Sequence, residues 1–226
     1  MATYGTPQAV TNGLVFYLDA ANLRSYSSGS VNWYDLSGST ISGSFVTASY
    51  SNINGGAITF NGVTSSVLVN SNILSDSGGS VNMWCNAQAP AQSGQSAYML
   101  SAFGSNNDRF YIAMNTTYGL SVYRGNPQTG FTLATVSQNQ WYNITMTWTA
   151  GPTGSLSGYL NGILKGTVTY TASGSTTNFT IGGYWTPVGS QAFSGSIAST
   201  QIYNRPLSQQ EVVQNYNALK SRFNIT

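Results

Sequence analysis

Histidine is missing from this sequence, cysteine occurs once, and only 5% of residues are charged. Without His there is no His-dependent catalytic triad, and the commonest general base and transition-metal ligand are also gone. The lone Cys85 leaves no intrachain disulfide and, with no His beside it, no structural zinc site. It lies in Val81-Asn82-Met83-Trp84-Cys85, which reads as a strand holding a buried thiol. Charge far below the roughly 25% of ordinary soluble domains leaves a weak long-range field, which argues against recruitment to nucleic acid. No apolar run approaches the roughly 18 residues of a membrane helix, so membrane insertion is not expected. Met1-Ala2-Thr3-Tyr4-Gly5 lacks the basic-then-apolar pattern of a secretory leader, and none is expected.

What is present is aromatic and small-polar. Fifteen Tyr, nine Phe and five Trp, with 41% apolar residues, suit one packed domain of 226 residues and not a disordered chain. Alternation of period two dominates. In Trp141–Trp148, Ile144, Met146 and Trp148 share one face and Asn143, Thr145 and Thr147 the other, giving a dry and a wet side. Trp84, Ile144, Met146 and Trp148 are expected between two sheets. Phe110–Met114 and Gly119–Tyr123 read as strands, and Asn161-Gly162 suits the two positive-φ positions of a type I′ hairpin. Glycine-marked breaks at short spacing imply antiparallel sheets packed face to face, an all-β sandwich.

One helix is predicted over about 208–222. Ser208-Gln209-Gln210-Glu211 is a capping box, and Val212, Tyr216, Leu219 and Phe223 form one apolar stripe behind Pro206. Residues 1–12 precede the first core strand and read as an extended arm. Tyr4, Pro7 and Val10 supply its anchoring groups, expected to order only on a neighbouring subunit.

Short motifs recur in a fixed order: Gly13-Leu14-Val15-Phe16-Tyr17-Leu18-Asp19, Tyr34-Asp35-Leu36-Ser37-Gly38, Ala57-Ile58-Thr59-Phe60-Asn61-Gly62, Trp141-Tyr142-Asn143-Ile144-Thr145, Tyr159-Leu160-Asn161-Gly162, Ile181-Gly182-Gly183 and Gly195-Ser196-Ile197. Across about residues 13–220 this set resembles the concanavalin A-like, laminin G-like lectin/glucanase domains. Its opening and the "YDLSG" look most like versions in tailed-phage virion proteins. The resemblance implies a jelly-roll sandwich spanning 13–226. It also implies a non-enzymatic virion surface protein, a capsid decoration or knob, that binds other capsid or tail proteins and aids adhesion to host surface polysaccharide. A free carbohydrate-binding module of a bacterial surface protein is the alternative.

The glucanase side of the resemblance would require a strand alternating Glu and Asp, and none exists. Of the five acids, Glu211 belongs to the helix cap, and Asp19 and Asp35 lie in turn motifs, leaving Asp76 and Asp108. Relatives hold calcium at the sandwich rim, but here Ala198-Ser199-Thr200-Gln201 replaces the usual acids, so no cofactor is expected and only Asp108 offers a ligand. Sugar recognition needs aromatic faces for apolar ring surfaces and Asn, Asp or Arg for hydroxyls. Asp108, Arg109, Tyr118, Arg124, Asn126, Tyr184 and Trp185 are the candidates, Trp185 the clearest for an exposed ring. Singly, Tyr118 and Tyr184 suit strand-end packing equally well, and the arginines solubility.

Overall fold

A computed structural model describes residues 8–74, 77–92, 94–104, 109–151, 153–171, 176–184 and 191–225. The alternating segments form two antiparallel eight-stranded sheets. The back sheet runs β14 (Ile163–Thr171), β13 (Thr153–Leu160), β12 (Trp141–Thr149), β7 (Gly78–Ala87), β16 (Ser194–Tyr203), β5 (Ala57–Asn61) and β4 (Ser49–Ser51). β1 (Leu14–Asp19) pairs with the second half of β16, while β5 pairs with its first half. The front sheet runs β11 (Thr129–Thr135), β10 (Gly119–Gly125), β9 (Arg109–Met114), β8 (Ala97–Gly104), β15 (Thr176–Ile181), β6 (Ser66–Val69), β3 (Ser42–Val46) and β2 (Asn32–Tyr34).

The sheets meet over one core. Ile144, Met146 and Trp148 of β12 are buried there as the alternation predicts, facing residues such as Phe110, Ile112 and Val122 of the front sheet. Trp148 meets Phe110 edge-on at 4.7 Å. Asn161 and Gly162 take φ of 52° and 79°, so the hairpin between β13 and β14 turns on the two residues expected of it.

Trp84 departs from expectation. It is fully buried, but on the outer side of the back sheet. Met83 pairs with Ile144 and takes the inward position, so its neighbour must face away. Trp84 packs there against Tyr216 at 5.7 Å and Phe223 at 4.3 Å. The capping box forms as read: the Glu211 amide donates to Ser208 Oγ at 3.3 Å, and Glu211 Oε2 accepts from the Ser208 amide at 2.9 Å. Helix α1 (Gln209–Leu219) follows, then a 3-10 turn over Lys220–Phe223.

This C-terminal segment also overturns the reading of Asn143, Thr145 and Thr147 as a wet face, since all three are buried on the side it covers. Buried polar groups need partners, and Asn82 serves as the hub. Its Oδ1 accepts from Thr145 Oγ1 at 2.8 Å and Asn143 Nδ2 at 3.0 Å, and its Nδ2 donates to Gln201 Oε1 at 2.7 Å.

The arm is corrected in its second half. Val10 is buried with Tyr159, Tyr203, Leu207 and Val212. Its amide donates to Asn215 Oδ1 at 2.8 Å and its carbonyl accepts from Tyr203 OH at 3.0 Å. Gln8 is tied to Gln214, and the Asn12 carbonyl to Arg205. Asn215 and Tyr203 offer a ready-made pair of backbone partners, so residues 8–12 dock on their own domain. Tyr4 and Pro7 lie outside the described residues.

Candidate functional site

The two sheets differ on their outer sides. The back sheet is capped by α1 and residues 8–12, whereas the front sheet carries no helix among the described residues. On the front sheet the inward positions of β9 and β10 are Phe110, Ile112, Leu120 and Val122, which sends Arg109, Tyr111, Ala113, Ser121 and Tyr123 outward. Tyr111 and Tyr123 are register partners, with ring centroids 5.1 Å apart. β8 adds Tyr98, edge-on to Tyr111 at 5.0 Å, and Phe103, the register partner of Arg109.

Tyr184 joins through a turn that requires glycine. Gly182 leaves β15 at φ +76, and a Cβ there would strike the Phe60 ring. The turn carries Tyr184 over Tyr98 and Phe103, with both ring separations 5.1 Å. The guanidinium of Arg109 lies 5.9 Å from the Phe103 ring centre and donates from Nη1 to Gln128 Oε1 at 3.1 Å. Five rings and one guanidinium therefore form a continuous circuit.

Within it Tyr98 and Tyr111 are the buried supports, Tyr123 and Tyr184 are half-buried, and Arg109 is exposed. Burial pushes the Tyr98 and Tyr111 hydroxyls above the ordinary phenol range, although Arg109 acts in the opposite direction on both. They remain neutral near pH 7, each able to donate and accept. Beside the circuit Gln191 Nε2 donates to Gln95 Oε1 at 2.7 Å, and the Tyr98 amide donates to the Gln191 carbonyl. Aromatic faces bordered by amides and one cation suit a ligand with apolar ring faces and many hydroxyls.

Of the residues singled out from sequence, Arg109 and Tyr184 come together in the circuit. Asn126 is exposed at the end of β10, next to Gly125, the register partner of Arg109, and sits at the rim. Tyr118 lies at the opposite end of the β9–β10 hairpin, at φ 59° in the turn, and packs against the core. Arg124 is a correction: it is 1% exposed and lies between the sheets, 5.3, 5.2 and 5.1 Å from the ring centres of Phe110, Trp148 and Tyr170. It shares strand parity with inward Val122, so its charge is held by aromatic faces and not offered to solvent. Asp108 and Trp185 lie outside the described residues. Tyr98, Phe103, Tyr111, Tyr123 and Gln128 were not singled out, although the outward parity of Tyr111 and Tyr123 opposite Ile112 and Val122 was there to read.

The three described carboxylates have structural partners. Asp19 Oδ1 pairs with Arg222 Nη1 at 2.7 Å and accepts from the Ala21 amide. Asp35 accepts from the Tyr17 amide and from Ser37 and Ser39, which hold its carboxyl below the usual range against the opposing effect of burial. Glu211 pairs with Arg205 at 2.6 Å. No group of three His, Cys, Asp or Glu gathers among the described residues.

Comparison with solved structures shows the same fold at low identity. A Trypanosoma rangeli sialidase in complex with the inhibitor DANA is 17% identical with a TM-score of 0.71, over 97% of this chain and 34% of the sialidase. This chain thus spans about a third of that protein. Domain 4 of AbnA, a GH43 extracellular arabinanase from Geobacillus stearothermophilus in complex with arabinotriose, is 16% identical with a TM-score of 0.66, over 90% of this chain and 98% of the domain. The receptor binding domain of botulinum neurotoxin type G is 16% identical with a TM-score of 0.68, over 91% of this chain and 51% of that one. No curated protein matches by sequence. The family model for the concanavalin A-like lectin/glucanases superfamily, of laminin G type, matches residues 60–213, more than half of the 226. The chain belongs to the concanavalin A-like lectin/glucanase superfamily.

Proposed function

We propose that this chain is a non-enzymatic, glycan-binding sandwich that works at the surface of a phage virion, as a capsid decoration or knob protein that helps hold the particle near host polysaccharide. The observation that carries the glycan half is the circuit of Tyr98, Tyr111, Tyr123, Tyr184 and Phe103 with Arg109 on the front sheet. Packing alone accounts for the buried pair, but not for three further half-buried rings and an exposed cation gathered on one face of the sheet. The virion half rests on the likeness of Gly13–Asp19 and Tyr34–Gly38 to tailed-phage proteins. A free carbohydrate-binding module is the second reading, favoured by the match to a whole domain of a larger extracellular arabinanase.

Two measurements test this. Tyr123→Ala and Tyr184→Ala should each weaken binding to a glycan array by about tenfold, worth about 1.4 kcal/mol, while leaving the fold intact. Equal binding by both variants would remove the site from the front sheet. Mass spectrometry of purified virions should find the chain at stoichiometric levels, and its consistent absence would favour the free module.

A further inference from the structure

We infer that the front-sheet site selects acidic glycans, with Arg109 receiving the carboxylate or sulfate of a sugar whose ring lies against Tyr123 or Tyr184. This rests on the glycan-binding reading and adds the class of glycan. Arg109 is the outward, exposed residue at the start of β9, beside Phe103 and Tyr111, which in turn meet the half-buried rings of Tyr184 and Tyr123. Its described contacts are a neutral amide, Gln128 Oε1, the Phe103 ring and the Tyr111 hydroxyl. None of these neutralises it. The described carboxylates lie elsewhere: Asp19 and Glu211 are held by Arg222 and Arg205, with the capping segment of the other sheet, and Asp35 closes the loop after β2.

A guanidinium offers five N–H donors in a flat fork that matches a carboxylate or sulfate, and few are engaged here. The Phe103 ring beneath and the Gln128 amide beside it restrict the guanidinium, so little freedom is lost when an anion arrives. With only seven Lys and Arg and five acids in the whole chain, the long-range field is weak and an anion is guided chiefly by local charge. Neutral sugars would gain from the rings alone; acidic ones would gain from the rings and the fork together.

The test uses the full chain on an array of neutral, carboxylated and sulfated oligosaccharides, at low and at high salt. Acidic members should bind most tightly and lose affinity as salt rises, while neutral binding is insensitive. Arg109→Gln should weaken acidic binding by about tenfold or more and neutral binding much less, with Arg109→Lys intermediate on acidic members because it keeps the charge and loses the fork. Preference for carboxylated or for sulfated members identifies the anion. If neutral members bind as tightly as acidic ones, or Arg109→Gln changes nothing on a glycan that Tyr123→Ala releases, acidic selection is overturned and glycan binding stands. If no member binds, both readings fall together.

Discussion

At the scale of single residues, position on the pleat decides role more than chemical type. Trp148 and Trp84 are both fully buried, yet one joins the two sheets and the other joins a sheet to the C-terminal segment. Trp148→Ala should cost about 3–5 kcal/mol in chemical denaturation, because it empties the contact with Phe110 and uncovers one face of the Arg124 guanidinium. A loss under about 1 kcal/mol would mean the core collapses around the gap, which close packing disfavours. Parity was legible for Ile144, Met146 and Trp148. It was equally available for Trp84, which shares its side with Asn82, and for Arg124, which shares its side with Val122. There residue type misled: a large apolar ring suggested the core, and a charge suggested the surface. Cys85 follows the simple rule, with burial pushing its thiol up to about 12.

At the scale of elements, the helix and its cap were readable because their signals are local. What they rest upon was not, because Asn143 and Thr145 look solvent-facing until a distant segment covers them. Arg205 joins the pieces, donating to both Glu211 oxygens and to the Asn12 carbonyl. Hydrogen bonds from Arg205, then from Ser208, hold the Glu211 carboxyl down at about 2, against a partly opposing cost of burial. A depressed carboxylate stabilises the fold above its unfolded value and loses that contribution as pH falls through the folded one. The melting temperature should therefore drop between about pH 4.5 and about pH 2, and Glu211→Gln should flatten that drop. Equal slopes in the two proteins would assign the acid sensitivity to other groups. Removing residues 2–11 should lower stability by about 2 kcal/mol, since Val10 leaves its pocket and Asn215 loses a partner. An unchanged melting temperature would instead match an arm that never touches its own domain.

At the scale of the whole molecule, the family and the two-sheet architecture were legible from ordered motifs, whereas the aromatic circuit was only half so. Arg109 and Tyr184 were named from their loops, but Tyr98 and Tyr123 meet them through strand pairing between segments that sequence leaves unconnected. The described carboxylates are each committed to a turn, a cap or an ion pair, and the proposed non-enzymatic role predicts that incubation with polysaccharide releases no reducing ends. Turnover that survives loss of Asp19 and stops with Asp108→Asn would contradict this.

Gln8 and Ile225, the first and last described residues, both belong to the cap on the back sheet. Both residues therefore lie on the side of the sandwich opposite the front-sheet tyrosines. On the glycan-binding reading, a support coupled to the cap on the back sheet leaves the aromatic circuit of the front sheet uncovered. Immobilising the protein through a cysteine introduced on α1, at exposed Gln210, should accordingly preserve glycan capture, whereas coupling through one introduced at exposed Gln128 should block it.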